Sequence, residues 1–141
     1  TDKRIIAVEG HCYVHDKIRA EDVQKARELH PDAKVMVHPE CRRDVIMIAD
    51  AVCSTSQMIK YAKESNAKEF IAVTECGMAL MLKRLMPEKQ FWAVGGTCIQ
   101  MTKVTIDKVY ESLVQGKHAV EVPSDIAEKA KKALDAMLRI S

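Results

Sequence analysis

The chain has 141 residues, of which 48% are apolar and 30% charged, and its formal net charge is +2. That length is sufficient for one domain with its own core. A nearly neutral charge and an aromatic content of only 4% argue against binding to nucleic acid or to a membrane surface. No apolar run in the sequence approaches the length needed to cross a bilayer.

The cysteines are odd in number, widely spaced and without a Cys-x-x-Cys pair: Cys12, Cys41, Cys53, Cys76 and Cys98. A secreted disulfide framework is usually denser and even. We therefore expect a reduced cytoplasmic protein, with either several buried thiols or one or two thiols that bind a metal or cluster. The chain begins with threonine, from which we expect a fragment or a processed chain.

Predicted strands alternate with predicted helices along the sequence. The strands are 4–9, 33–37, 51–53, 69–73 and 91–94, and the helices are 20–30, 42–50, 57–65, 78–85, 105–115 and 126–139. Segment 118–122 is either a strand or merely extended. This alternation predicts an α/β fold with a short parallel sheet in three αβα layers, followed by C-terminal helices.

The segment Val-His-Pro-Glu-Cys (37–41) is the first candidate site. Pro39 cannot extend a strand, so His38 and Glu40 leave the sheet at its carboxyl end, where open α/β sheets bind ligands. Residues two apart in an extended segment point the same way, and an imidazole with a carboxylate can move protons. A solvated turn explains the same residues equally well.

Ser54 and Thr55 stand at the start of a predicted helix. Hydroxyl groups there cap the free amides of the helix, and those amides can also bind phosphate or carboxylate. Capping alone is the commoner arrangement, so the two alternatives stay open on the sequence.

Cys12 and Cys98 each follow a predicted strand, and iron–sulfur clusters take thiolates from separate loops. Two thiolates underligate a cluster, so a third would have to come from outside this chain. Zinc bound by Cys12, Cys98 and either His11 or His15 is the alternative.

Four segments together resemble the quinolinate synthase (NadA) family: Gly-His-Cys-Tyr-Val-His (10–15), Val-His-Pro-Glu-Cys (37–41), Ser-Thr-Ser-Gln-Met-Ile (54–59) and Cys-Ile-Gln-Met-Thr-Lys (98–103). They occur in order over essentially the whole chain. The resemblance implies a transferase of NAD biosynthesis that condenses iminoaspartate with dihydroxyacetone phosphate to give quinolinate. It also implies a 4Fe-4S cluster held by three cysteines, with one open iron acting as a Lewis acid.

The resemblance further implies which residues take part. Cys12 and Cys98 would be two of the cluster ligands, the third lying outside this chain. His38 and Glu40 would be catalytic and, with Pro39, would bind substrate. The substrate-binding residues would also include Ser54 and Thr55.

The same resemblance implies a division into domains around a pseudo-threefold axis. Residues 1–12 would end a preceding αβα domain, 13–97 would form one αβα domain, and 98–141 would carry the cluster cysteine and helices that pack on a missing first domain. The isolated chain would then be inactive without that N-terminal portion. The alternatives are a cluster-free αβα protein that binds a small molecule or uses a thiol, and an inactive scaffold fragment.

Overall fold

The computed structural model describes residues 2, 4–6 and 9–140, which divide after Thr102 into two compact units. The first unit contains α1 (Tyr13–Asp16), α2 (Ala20–Leu29), β1 (Lys34–Val37), α3 (Arg43–Met47), β2 (Ala51–Val52), α4 (Thr55–Glu64), β3 (Glu69–Val73), α5 (Cys76–Leu85), β4 (Gln90–Ala93) and α6 (Ile99–Thr102). The second unit contains α7 (Ile106–Gln115) and α8 (Ser124–Ile140).

The four strands form one parallel sheet in the order β2-β1-β3-β4. Val37 at the end of β1 is paired with Val52 on one side and with Val73 on the other. β2 lies on one side of β1, and β3 and β4 lie on the other. The strand order therefore reverses between β1 and β3, whose carboxyl ends are adjacent. Ligands of open α/β sheets bind at such a point.

The two faces of the sheet are covered by different helices, which confirms the three-layer arrangement. On one face Met36 and Phe70 pack with Met58 of α4 and Leu82 of α5. On the other face, Val35, Val37, Ile71 and Val73 pack with Val23 of α2 and Val45 of α3. Alternate residues of a strand point to opposite faces, so the continuous apolar runs of β1 and β3 supply both cores.

Helix α7 is capped at its start by Thr105, whose hydroxyl accepts a hydrogen bond from the backbone N–H of Lys108, and at its end by Gly116 in the left-handed conformation (φ 61°). The predicted glycine stop is thereby confirmed. None of the residues 103–140 is buried. Among the helices of the described residues, none is long and apolar enough to cross a membrane.

The predicted strand at 4–9 is wrong for the residues that can be compared. Residues 4–6 and 9 lie outside any strand, and 7 and 8 fall outside the described residues. A strand needs a neighbour to satisfy its amides and carbonyls, and Ile5 and Ile6 are both exposed. Segment 118–122 also contains no strand. The other four predicted strands are confirmed within about one residue, the boundary error that strand ends normally carry.

Candidate functional site

A cavity of about 570 Å³ opens at the carboxyl ends of the strands in the first unit. The titratable side chains that line the cavity come from the segments that follow β1, β3 and β4 and from the segment around α1: Cys12, His15, His38, Glu40, Glu75 and Cys98. The predicted residues His38, Glu40, Thr55, Cys12 and Cys98 are therefore brought together around one space.

The turn after β1 fixes the positions of His38 and Glu40. The His38 backbone N–H donates to the Val73 carbonyl (3.1 Å), and the Cys41 N–H donates to the His38 carbonyl (3.0 Å). The Glu40 backbone N–H donates to Nδ1 of His38 (3.3 Å). Since Nδ1 accepts this bond, the proton of the neutral ring lies on Nε2. Partial burial, and then the neighbouring His15, lower the pKa of His38 and favour that neutral form.

His15, in α1, is the buried centre of the site, with 7% of its surface exposed. Its Nδ1 lies 3.0 Å from Oε2 of Glu40, and its Nε2 lies 2.9 Å from Oγ1 of Thr74. Its ring stacks on that of His38, with centroids 4.2 Å apart and planes 6° from parallel. An ionised carboxylate can only accept, so Nδ1–H donates to Glu40 and, in the neutral ring, Nε2 accepts from the Thr74 hydroxyl.

This chain of contacts can orient a proton-transfer group. Thr74 fixes the His15 ring, His15 holds the Glu40 carboxylate, and Glu40 keeps more than half of its side chain exposed (56%) on the cavity side. The free oxygen of such a carboxylate can accept a proton from a ligand in the cavity, while Oε2 remains bonded to His15.

Cys12 and Cys98 both line the cavity and both are partly exposed. The hydroxyl of Tyr13 lies 3.5 Å from Sγ of Cys98, and its hydrogen bond is the main cause that lowers the pKa of the Cys98 thiol. A lowered pKa favours the thiolate, the form that binds metal.

The buried thiols behave differently. Burial raises the pKa of Cys41 to about 11, and its thiol donates to the Val73 carbonyl (3.7 Å). Burial also raises the pKa of Cys53. Neither thiol is among the residues that line the cavity, so both fit a role in the core.

At the start of α4, the two predicted hydroxyl residues, Ser54 and Thr55, occupy different positions relative to the cavity. Ser54 is the N-cap, and its backbone N–H donates to Oε1 of Gln57 (2.8 Å). Thr55 and the following Ser56 line the cavity, whereas Ser54 and Pro39 do not. Ser54 thus caps the helix, and the first helical residues, Thr55 and Ser56, face the cavity.

From the sequence, His15 was named only as a possible zinc ligand, and Thr74, Glu75 and Ser56 were not predicted as site residues. Thr74 and Glu75 follow β3 as His38 and Glu40 follow β1, so the same rule about strand ends could have found them. The apolar wall was also missed: Ile59, Met78, Met81 and Met101.

A parallel sheet with a cavity at its reversal point, lined by two imidazoles, two carboxylates and two thiols, defines an α/β protein with a candidate small-molecule site whose side chains could also bind a metal. Sequence comparison identifies the family. Residues 1–139 match the family described as "Quinolinate synthetase A protein". The chain belongs to the quinolinate synthase family.

Relatives named quinolinate synthase include the protein of Methanosarcina barkeri, 48% identical over 99% of this chain, and that of Thermococcus kodakarensis, 48% identical over 100% of it. The protein of Caldicellulosiruptor bescii is 47% identical over 99% of the chain. The alignments cover 47%, 47% and 46% of those relatives. The chain thus spans about half the length of the curated relatives it matches.

Proposed function

We propose that this chain supplies one wall of the active site of a quinolinate synthase, which condenses iminoaspartate with dihydroxyacetone phosphate to form quinolinate for NAD biosynthesis. The observation that carries the proposal is the meeting of Cys12 and Cys98 with His38 and Glu40 around one cavity. Family membership supports the same reaction. Both substrates would be small molecules that this cavity can accommodate.

The residues present fit part of the ligand set of a 4Fe-4S cluster. Cys12 and Cys98 come from separate loops, open on the same space and have no disulfide partner, while a third cysteine would come from outside this chain. When bound, the cluster would supply an open iron that acts as a Lewis acid on a substrate oxygen.

The chain's own residues would bind the substrates and move protons. Iminoaspartate carries carboxylates and dihydroxyacetone phosphate carries a phosphate, so an anion site is required. The start of the ten-residue helix α4, at Thr55 and Ser56, offers free backbone amides and the positive end of the helix dipole. Pro39 and Ser54 would act by holding the two loops that carry the contacting groups.

Forming a pyridine ring from these substrates requires removal of carbon-bound protons and protonation of departing oxygen. Glu40 would accept protons, because its carboxylate faces the cavity and is anchored by His15. Neutral His38 would donate a hydrogen bond from Nε2 to a substrate oxygen, since its Nδ1 accepts from the Glu40 backbone. The apolar wall would exclude water from the reacting atoms.

The proposal includes a division of the chain and a partner. Residues 1–12 would end one domain, 13–97 would form another, and 98–141 would carry Cys98 and helices that pack on a first domain supplied by the rest of the enzyme. Alone, the chain would lack a cluster ligand and would not make quinolinate. The complete enzyme would work in the cytoplasm, where the thiols stay reduced.

The test combines this chain anaerobically with the remaining half of the Methanosarcina barkeri relative, followed by reconstitution with iron and sulfide. We expect a brown chromophore, about four irons per assembly and quinolinate formation. Glu40→Gln should lower the turnover rate by about 10²–10⁴-fold, the usual contribution of an acid–base group, without loss of iron.

Cys12→Ser and Cys98→Ser should each abolish the chromophore. Quinolinate formation by the 141-residue chain alone would contradict the proposed partner. Ligand binding unchanged by both cysteine substitutions, with no chromophore in the parent chain, would instead support a cluster-free binding protein.

A further inference from the structure

Three side chains of different chemistry that line the cavity lie close to one another. Ligand atoms of Cys12, His15 and Glu40 all lie within 4.8 Å of one another. Within this group, Nδ1 of His15 and Oε2 of Glu40 are 3.0 Å apart. Cys98, the other thiol of the cavity, does not belong to the group.

The donor set selects a particular class of metal ion. A thiolate, an imidazole and a carboxylate suit zinc, whereas calcium and magnesium prefer oxygen ligands alone. Zinc bonds of about 2.0–2.3 Å in a tetrahedron place neighbouring ligand atoms about 3.3–3.6 Å apart. To reach that geometry, each distance between two of the three ligand atoms needs to change by less than about 1.5 Å.

The surroundings of the group also resemble those of a metal site. With Nδ1 of His15 turned toward Glu40, the other ring nitrogen is held by the buried Thr74 hydroxyl at 2.9 Å. When Nδ1 binds zinc, the ring proton lies on Nε2, which then donates to the Thr74 oxygen instead of accepting from it. Metal-binding histidines usually donate their second N–H to such a partner, which fixes the ring. Glu40 is partly exposed and the group borders the cavity, so a fourth position is open to water or to a substrate carboxylate.

We propose that Cys12, His15 and Glu40 form a mononuclear zinc site in the cluster-free protein. Bound zinc uses the Cys12 thiolate, so zinc and the cluster exclude each other. The zinc site stands on the geometry of this chain, whereas the exclusion rests on the proposed function. The site differs from the zinc set considered on the sequence, because Glu40 replaces Cys98 as a ligand.

The test uses the chain in its reduced, cluster-free state, with cobalt(II) as the first probe and zinc as the second. We expect one equivalent of cobalt to produce a thiolate-to-metal charge-transfer band in the near ultraviolet and intense visible bands typical of four-coordination. One equivalent of zinc should remove both. A saturable cobalt spectrum without the thiolate band, or no saturable binding, would overturn the proposal.

Substitutions locate the site. Cys12→Ser should abolish the charge-transfer band. Loss of a residue that only hydrogen-bonds a metal ligand weakens metal binding by about 10–100-fold, so His15→Gln, which removes a ligand itself, should weaken zinc binding by more than that. Cys98→Ser is the matched control, since it removes the other thiol of the same cavity and should leave the cobalt spectrum and zinc affinity unchanged. A band that survives Cys12→Ser but disappears in Cys98→Ser would contradict the assignment. Far-ultraviolet circular dichroism of each variant establishes that it is folded.

Cluster assembly separates this proposal from the one before it. In the complete assembly, pre-bound zinc should prevent formation of the brown chromophore, and a chelator should restore it. Zinc binding with no cluster under any condition would leave the zinc site standing and contradict the synthase function. A cluster that forms at the same rate with and without zinc would overturn the exclusion.

Discussion

The hydroxyl of Thr74 is the buried partner that holds the His15 ring, and its removal gives the first prediction. Thr74→Val keeps the shape of the side chain but leaves Nε2 of His15 without its 2.9 Å partner. A buried polar atom left unpaired costs about 1–3 kcal/mol, so the free energy of unfolding in urea should fall by that amount.

Thr74→Ser is the control for this change, because it keeps the hydroxyl. The serine variant should keep most of the stability that the valine variant loses, and it should preserve the nitrogen chemical shifts of His15. Equal losses in the valine and serine variants would mean that packing of the methyl group, rather than the hydrogen bond, supports the site.

The two kinds of thiol should react at different rates. Burial raises the pKa of Cys41 to about 11 and leaves 6% of the residue exposed, while the Tyr13 hydroxyl lowers the pKa of the partly exposed Cys98. Only thiolates are alkylated rapidly. In the metal-free chain at pH 8, iodoacetamide should therefore modify Cys98 well before Cys41, as peptide mass spectrometry can follow.

The pH dependence of this labelling has a definite sign. Because burial raises the pKa of Cys41 from 9.0 to about 11, its thiol stays mostly protonated at pH 9, and its labelling should become fast only as the pH approaches 11. Tyr13→Phe should slow the labelling of Cys98 and leave that of Cys41 unchanged. Faster labelling of Cys41 than of Cys98 at pH 8 would contradict the structure of the site.

Among the elements, the connection from β4 to α6 depends on one glycine. Gly95 has φ +156°, and a Cβ there would lie 1.9 Å from the backbone oxygen of Thr74. Backbone cannot move aside as a flexible side chain can, so Gly95→Ala should displace the segment that carries Cys98 and cost at least about 2 kcal/mol of stability. The neighbouring Gly96 has open space around its Cβ position.

Gly96→Ala is thus a matched control and should change stability by less than about 1 kcal/mol. Thermal unfolding of the two variants gives the comparison. If the alanine variants unfold together with the parent, the close approach of Gly95 to Thr74 is absent in solution.

The sequence predicted the elements that have a strong local signal. β1 and β3 are apolar runs that end in polar residues, and Gly116 marks the end of α7, so all three were found. The four-residue helices α1 and α6 were missed because one turn has no periodicity to recognise. Helix α4 begins two residues before the predicted start, since Ser54 rather than a later residue is its cap.

The candidate site was predictable where residues follow a strand and was not where they depend on distant partners. His38 and Glu40 could be selected from one short segment. His15 could be named only as a conceivable metal ligand, because its partners Glu40 and Thr74 are 25 and 59 residues away in the sequence. Their meeting depends on the pairing of β1 with β3, which local patterns do not specify.

At the scale of the whole molecule, the two units differ in how much they bury. The first unit has a core on each face of its sheet, whereas residues 103–140 include none that is buried. Helix α7 nevertheless has apolar residues at helical spacing along one side: Ile106, Val109, Tyr110, Leu113 and Val114. Such a stripe normally packs on another surface, and the chain spans about half the length of its relatives.

We expect the remaining half of a relative to cover that stripe. The isolated chain should bind a hydrophobic dye and self-associate, and adding the remaining half of the Methanosarcina barkeri relative should suppress both. Leu113→Lys, at a residue that is 81% exposed, should reduce dye fluorescence and weaken binding of that half, whereas Glu111→Lys on the same helix should do neither. Fluorescence titration and size-exclusion chromatography measure the two effects. Equal effects of the two lysine variants would show that added charge, rather than loss of an apolar contact, is responsible.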